Sequence, residues 1–141
     1  MKPASSFLLA FTSSLVIAAC SNLSNQCIPG AGARPAPPML VMPSPGATAI
    51  ATNIGSLFFD FYRTDDVVTL TTKSGVPVIS ATMIPAAEPL PSSLPTPAGV
   101  VYGTIAIPTL SPATVYSVSN TLTVSGACGF TETGVSSFTT R

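Results

Sequence analysis

From about residue 39 onward, apolar and polar positions alternate. Leu57, Phe59 and Phe61 fall on one side of a period-two pattern, with Phe58, Asp60 and Tyr62 on the other. Val68 and Leu70 alternate with Thr69 and Thr71, and Lys73-Ser74-Gly75 follows as a turn. This is the signature of strands half-buried on a pleated sheet. Val76 to Ile84 is a β-branched run broken by Pro77, which lacks a ladder donor and so predicts an edge strand. Val100 to Ile107 predicts another strand, Met39 to Met42 a short first one, and Val135 to Thr140 a last one carrying Phe138. The clearest segment is Thr114 to Ser125. Tyr116, Val118, Leu122 and Val124 line one face, and Ser117, Ser119, Thr121, Thr123 and Ser125 the other. Asn120 interrupts the apolar face and is read as a bulge or as the end of burial. No helical period appears after residue 20. About seven strands with turn signals at this spacing predict an all-β fold, an open two-layer antiparallel sandwich.

The first twenty residues follow a different pattern. Lys2 is followed by the apolar stretch FLLAFTSSLVIAA, residues 7 to 19, which is shorter than the ~20 residues a membrane-spanning helix needs. A positive start, a short apolar segment and small residues at its end have the layout of a secretory signal peptide. The small residues run directly into Cys20. Ile17-Ala18-Ala19-Cys20 resembles the lipobox of bacterial lipoproteins. That resemblance implies cleavage before Cys20 and a diacylglyceryl group on its sulfur, and often acylation of the new N-terminus. Two or more acyl chains anchor a protein stably where one does not. The alternative is an uncleaved apolar helix with an unrelated cysteine. Residue 21 is Ser rather than the Asp that retains many lipoproteins at the inner membrane of enteric bacteria. In a two-membrane cell the outer membrane is therefore favoured. The chain then divides into a signal peptide (1–19), a lipidated Cys20 with a Pro-, Gly- and Ser-rich tether (20–38), and one sandwich domain (39–141). Arg34-Pro35-Ala36-Pro37-Pro38 reads as an extended spacer lifting that domain from the bilayer.

Export changes the meaning of the remaining cysteines. Cys27 and Cys128 are expected to form a disulfide; free thiols or a metal site are the alternatives. In the chain-entropy model a closed loop of roughly 100 residues corresponds to about 4.7 kcal/mol. Charge narrows the picture further. Only 7% of the 141 residues are charged and the formal net charge is zero, so no basic patch is available for nucleic acid. Hydrophobic residues reach 46%, enough for a core, which sets the chain apart from charge-poor disordered sequences. Histidine is absent, which removes the commonest general base and metal ligand.

Leu110-Ser111-Pro112-Ala113-Thr114-Val115-Tyr116 resembles the L-x-P-x-T-x-Y stretch of fibronectin type III domains and related bacterial Ig-like domains. The resemblance implies that Leu110 packs beneath the sheets and that Tyr116 forms a tyrosine corner, with Pro112 between them. Pro43-Ser44-Pro45-Gly46-Ala47-Thr48 is similar to the P-x-x-G-A-T opening of bacterial Ig-like repeats. The likeness spans residues 39–141. The usual Trp of the third strand is missing, so Phe58, Phe59 or Phe61 would fill its volume, and Cys27 lies before the first strand. Both departures point to a divergent member.

Candidate chemistry is sparse. Asp60, Asp65 and Asp66 form a weak Ca²⁺ candidate, set against a solvated loop balanced by Arg63. A Ser–Lys dyad would have to use Lys73, in a turn where a solvated lysine is ordinary, and nothing places Asp60 beside Glu132. An enzyme is therefore not expected, and neither is a cofactor. Tyr62 and Tyr102 offer an aromatic platform for glycans, with core packing as the plainer reading. The loop Glu88 to Gly99, with four prolines, is read as the variable contact surface, since loops carry function on sandwiches. The expected role is a lipid-anchored envelope protein presenting a non-catalytic Ig-like domain to an envelope protein or polymer. The alternatives are an accessory subunit of an envelope complex, using sheet edges for strand addition, or a carbohydrate-binding module.

Overall fold

A computed structural model describes residues 35–95, 99–125 and 129–141. Cys20, Cys27 and Cys128 lie outside the described residues, as does the segment read as a signal peptide. The described residues contain no helix. They form eight strands: β1 (Leu40–Met42), β2 (Ser56–Phe59), β3 (Val67–Thr72), β4 (Pro77–Thr82), β5 (Ile84–Pro85), β6 (Gly103–Ala106), β7 (Val115–Val124) and β8 (Phe130–Thr139). The strands divide into two antiparallel sheets of four. Sheet 1 has the order β1-β2-β6-β5 and sheet 2 the order β4-β3-β7-β8. β4 is an edge strand, as Pro77 requires. β8 begins at Phe130, five residues before the sequence pattern would start it. Its upstream part alternates Thr131, Glu132, Thr133 and Gly134, with no apolar residue to mark a core face.

The alternation places the core. Leu57 and Phe59 from sheet 1 pack against Val68, Leu70, Val118 and Phe138 from sheet 2, all buried. Each such side chain contributes roughly 1.5–3 kcal/mol by leaving water. Phe61, expected on the same face, follows the end of β2 and is only half-buried. Phe59 is thus the one phenylalanine of the three that takes a place in the centre.

Asn120 is neither a bulge nor the end of burial. It pairs with Val68 on one side and Gly134 on the other in unbroken register, and it is 2% exposed. Its Nδ2 donates to the carbonyl of Pro38 at 2.8 Å. Across the ladder, a Cβ at Gly134 would lie 3.2 Å from the Pro37 ring, so glycine leaves room for that proline. The spacer reading therefore stops short. Pro37 and Pro38 are buried parts of the packed body, because Asn120 and Gly134 receive them.

After β1 the chain turns at Ser44–Ala47, with Gly46 at φ +77°, and passes from sheet 1 to the edge of sheet 2. There Gly46 N–H donates to Ser137 O (2.7 Å) and Ile50 N–H to Thr139 O (3.0 Å), while Ala47 O accepts from Thr139 N–H (2.9 Å). Residues 46–50 thus run parallel to the final third of β8 and cover its edge.

Candidate functional site

The loop before β7 is tied down by one buried side chain. Tyr116 is 2% exposed, its ring stacks on Phe138 with centroids 5.6 Å apart, and its hydroxyl accepts the Ser111 N–H at 2.8 Å. Leu110 is buried beneath the same loop, and Pro112 O accepts the Thr114 hydroxyl (2.8 Å). The alternation of β7 turns Tyr116 inward, and the five-residue offset lets its hydroxyl reach back to the loop.

The charge cluster splits. Asp60 Oδ1 accepts the Met39 N–H at 2.8 Å, and its own N–H donates to Met39 O at 2.9 Å, so Asp60 pins β1 to the end of β2. Asp65 stands exposed at φ +68° in the turn before β3. Asp66 is buried, and its carboxylate Oδ2 has no hydrogen-bond partner in the structure. Burial pushes the Asp66 carboxyl above its ordinary pKa; Arg63 opposes this and the neighbouring Asp65 adds to it. Among the described residues no three metal-ligating side chains converge, so Asp60, Asp65 and Asp66 do not come together as a calcium cage. Asp66 lines instead an open groove of about 480 Å³ between the 63–67 turn and the end of β7 at Thr121–Ser125.

The tyrosines do not make a platform. Tyr102 is buried and its hydroxyl donates to Pro95 O, which fastens the proline-rich loop to the body. Leu94 of that loop is buried too, so the loop is partly packed rather than wholly presented. Tyr62 is half-buried, with its N–H on Val101 O (2.7 Å) and its hydroxyl accepting from Thr64 Oγ1 (3.4 Å). Lys73 is exposed in the β3–β4 turn, where the adjacent Ser74 hydroxyl bonds that of Thr72 (2.9 Å).

The outer face of sheet 2 is a regular surface spanning all four of its strands. The register aligns Ser80, Thr69, Ser119 and Val135 in one row across the four strands. Thr82, Val67, Thr121 and Thr133 form the next, and Thr71, Ser117 and Ser137 continue on the far side. Hydroxyls pair across the strands: Thr69 with Ser80 at 3.1 Å, Thr121 with Thr133 at 3.3 Å and Thr123 with Thr131 at 3.5 Å. None of the chain's five Lys and Arg or five Asp and Glu stands in these rows. The signal for this face was present in the hydroxyl positions of Thr114 to Ser125, but the register that joins four strands into one surface is a tertiary property. Beside it, the edge of β8 from Thr131 to Val135 carries no backbone partner among the described residues beyond β7.

Compared with protein families, with curated proteins and with solved structures, the chain matches none. The fold and the surfaces above are therefore the ground for a functional reading.

Proposed function

We propose that the protein is a lipid-anchored bacterial envelope protein that presents one non-catalytic domain of the Ig-like or fibronectin type III-like kind for binding. The observation that carries the domain reading is the Tyr116 hydroxyl on Ser111 N–H, inside a sandwich ordered β1-β2-β6-β5 and β4-β3-β7-β8. A corner tyrosine with that offset is a hallmark of such sandwiches. The anchor rests on the Ile17-Ala18-Ala19-Cys20 sequence after a short apolar stretch. Neutral composition, the missing histidine and the charge-free outer face of sheet 2 favour contact with a protein or uncharged polymer over catalysis.

A Cys27–Cys128 disulfide belongs to the same reading. The described chain starts at Pro35, and Pro37 lies on Gly134, six positions in sequence from Cys128. Seven residues lie between Cys27 and Pro35, and the eight steps of chain can span about 26 Å when extended. The six positions from Gly134 to Cys128 correspond to at most about 22 Å of chain, so the sequence separations leave room for the bond.

Intact mass spectrometry of the membrane-extracted protein tests both points. The expected mass starts at Cys20 and includes lipid, with two thiols that alkylate only after reduction. An unlipidated mass that retains Met1 defeats the envelope reading.

A second reading, an accessory subunit that accepts a partner strand, is favoured by the β8 edge from Thr131 to Val135, which no other described strand covers. The backbone groups of Ser137 and Thr139 face outward to residues 46–50, so by alternation those of Thr133 also face outward. Thr133→Pro would remove an outward donor while sparing the β7 ladder. Loss of a co-purifying envelope partner in that variant supports strand addition, and retention of the partner removes it.

A further inference from the structure

We infer that the outer face of sheet 2 is a self-association surface, and that it docks on the same face of a second copy of this chain with the strands antiparallel. Three observations converge on one occupant.

The first is desolvation. Covering a polar face costs free energy for each group that loses water without gaining a partner. Here the hydroxyls of Thr69 and Ser80, and of Thr121 and Thr133, already hold one another, so a dry partner need not supply a bond for each. Val67 and Val135 stand among them at 43% and 68% exposure, apolar area that a second sheet would remove from water. A sugar polymer is commonly held by an aromatic ring stacked on it, and the rows of this face contain none.

The second is charge. In a twofold interface each group near the axis meets its own copy, so a charged centre repels itself. The rows of this face hold no charge. The charges stand at its two ends instead: Asp65, with Asp66 and Arg63, just before β3, and Lys73 just after it. A twofold axis lying in the interface and perpendicular to the strands brings Lys73 of each copy over Asp65 of the other. A parallel docking, with the axis along the strands, would bring the Lys73 ends of both copies to one side and the Asp65 ends to the other. Complementarity therefore selects the antiparallel arrangement.

The third is size. Four strands at ~4.8 Å spacing and the nine positions from Val115 to Thr123 at ~3.4 Å make a face of about 500 Å² on each copy. The pair would bury about 1,000 Å², the lower bound for a specific interface. The association is thus a weak, reversible one. Two lipid-tethered copies in one membrane would favour it by proximity, but the face itself does not depend on the anchor.

Sedimentation equilibrium of the full chain, in density-matched detergent, tests this. The expected result is a concentration-dependent monomer–dimer equilibrium. Ser119→Lys, which puts a charge in the row the axis follows, should weaken it at least about tenfold. Lys73→Glu should weaken it by about tenfold, because two attractions become two repulsions. Asp65→Lys should act likewise, and the double variant Lys73→Glu with Asp65→Lys should return to within a few-fold of the unaltered chain. Monomer at every concentration overturns the inference. So does failure of the double variant to recover.

Discussion

The two sheets hold together in different ways. Sheet 1 is made of short strands: three residues in β1, four in β2, four in β6 and two in β5. Its ladders are brief, and much of its attachment comes from individual ties. Asp60 clasps Met39, Thr104 Oγ1 donates to Leu57 O at 2.9 Å, and Met83 sits beneath Gly103. In sheet 2, β3 and β4 have six residues each and β7 and β8 have ten. The β7–β8 ladder runs without a register shift from Val124–Phe130 to Val115–Thr139. Sheet 1 is thus stabilised mainly by what it buries, while sheet 2 has a continuous ladder of its own. That surplus lets sheet 2 leave a whole face in solvent without losing its shape, whereas sheet 1 spends its few side chains on the core.

The comparison predicts a gradient of mutational cost. Phe59 is almost wholly buried and is the large side chain sheet 1 contributes at its centre. Phe59→Ala should cost about 3–5 kcal/mol. Ser117→Ala, on the outer face of sheet 2, should change stability by less than about 0.5 kcal/mol. Urea midpoints of the two variants measure the contrast, and equal losses would mean that the sheets are not differently supported. Gly103→Ala comes next. The added methyl would collide with Met83 Sδ and lie 3.0 Å from the backbone carbonyl of Phe61, so moving the methionine alone does not make room. A cost of about 1–3 kcal/mol is expected from this overpacking. Met83→Ala introduced with it should recover part of the loss, since the collision disappears while a cavity takes its place. Tyr116→Phe keeps the ring on Phe138 but strips the Ser111 N–H of its acceptor, and should cost about 1–2 kcal/mol. The same variant should raise amide exchange at Ser111 while leaving the middle of β7 protected.

How much of this was legible beforehand depended on whether a residue's role is set locally. Leu57, Phe59, Val68, Leu70 and the inward positions of β7 could be read because alternation alone turns them to the core. The division into two layers followed from the number and spacing of such segments. Asn120 was misjudged because a buried amide is explained only by its partner, the Pro38 carbonyl, 82 positions away in sequence. For the same reason Pro37 and Pro38 looked like spacer: composition favours an extended chain there, and only Gly134 shows that the extended chain is packed. The acidic residues clustered in sequence but not in function, since Asp60 turns to Met39 and Asp66 goes inward. The hydroxyl face was half visible, one strand at a time. A long offset also hid the cover over the end of β8, where residues 46–50 pair with residues 137–141.

Asp66 carries the finest distinction between the sheets, because it sits at the entrance to β3 with an unpartnered carboxylate oxygen. Burial raises its pKa above the ordinary 3.8, with Arg63 opposing the shift. The folded state therefore binds this proton more tightly than the unfolded state does. Between the ordinary value and the raised one, unfolding releases the proton, so stability falls as pH rises through that window. The deficit persists to neutral pH and vanishes below the ordinary value, where both states are protonated. This runs opposite to a salt-bridged aspartate, which loses stability on acidification. Asp66→Asn removes the titration. Its urea midpoint should exceed that of the unaltered chain at pH 7, and the difference should shrink as the pH is lowered toward 3.8. Parallel profiles, or a variant that gains relative to the unaltered chain on acidification, would show that the carboxylate finds its partner after all and that the entrance to β3 is as well satisfied as the ladder that follows it.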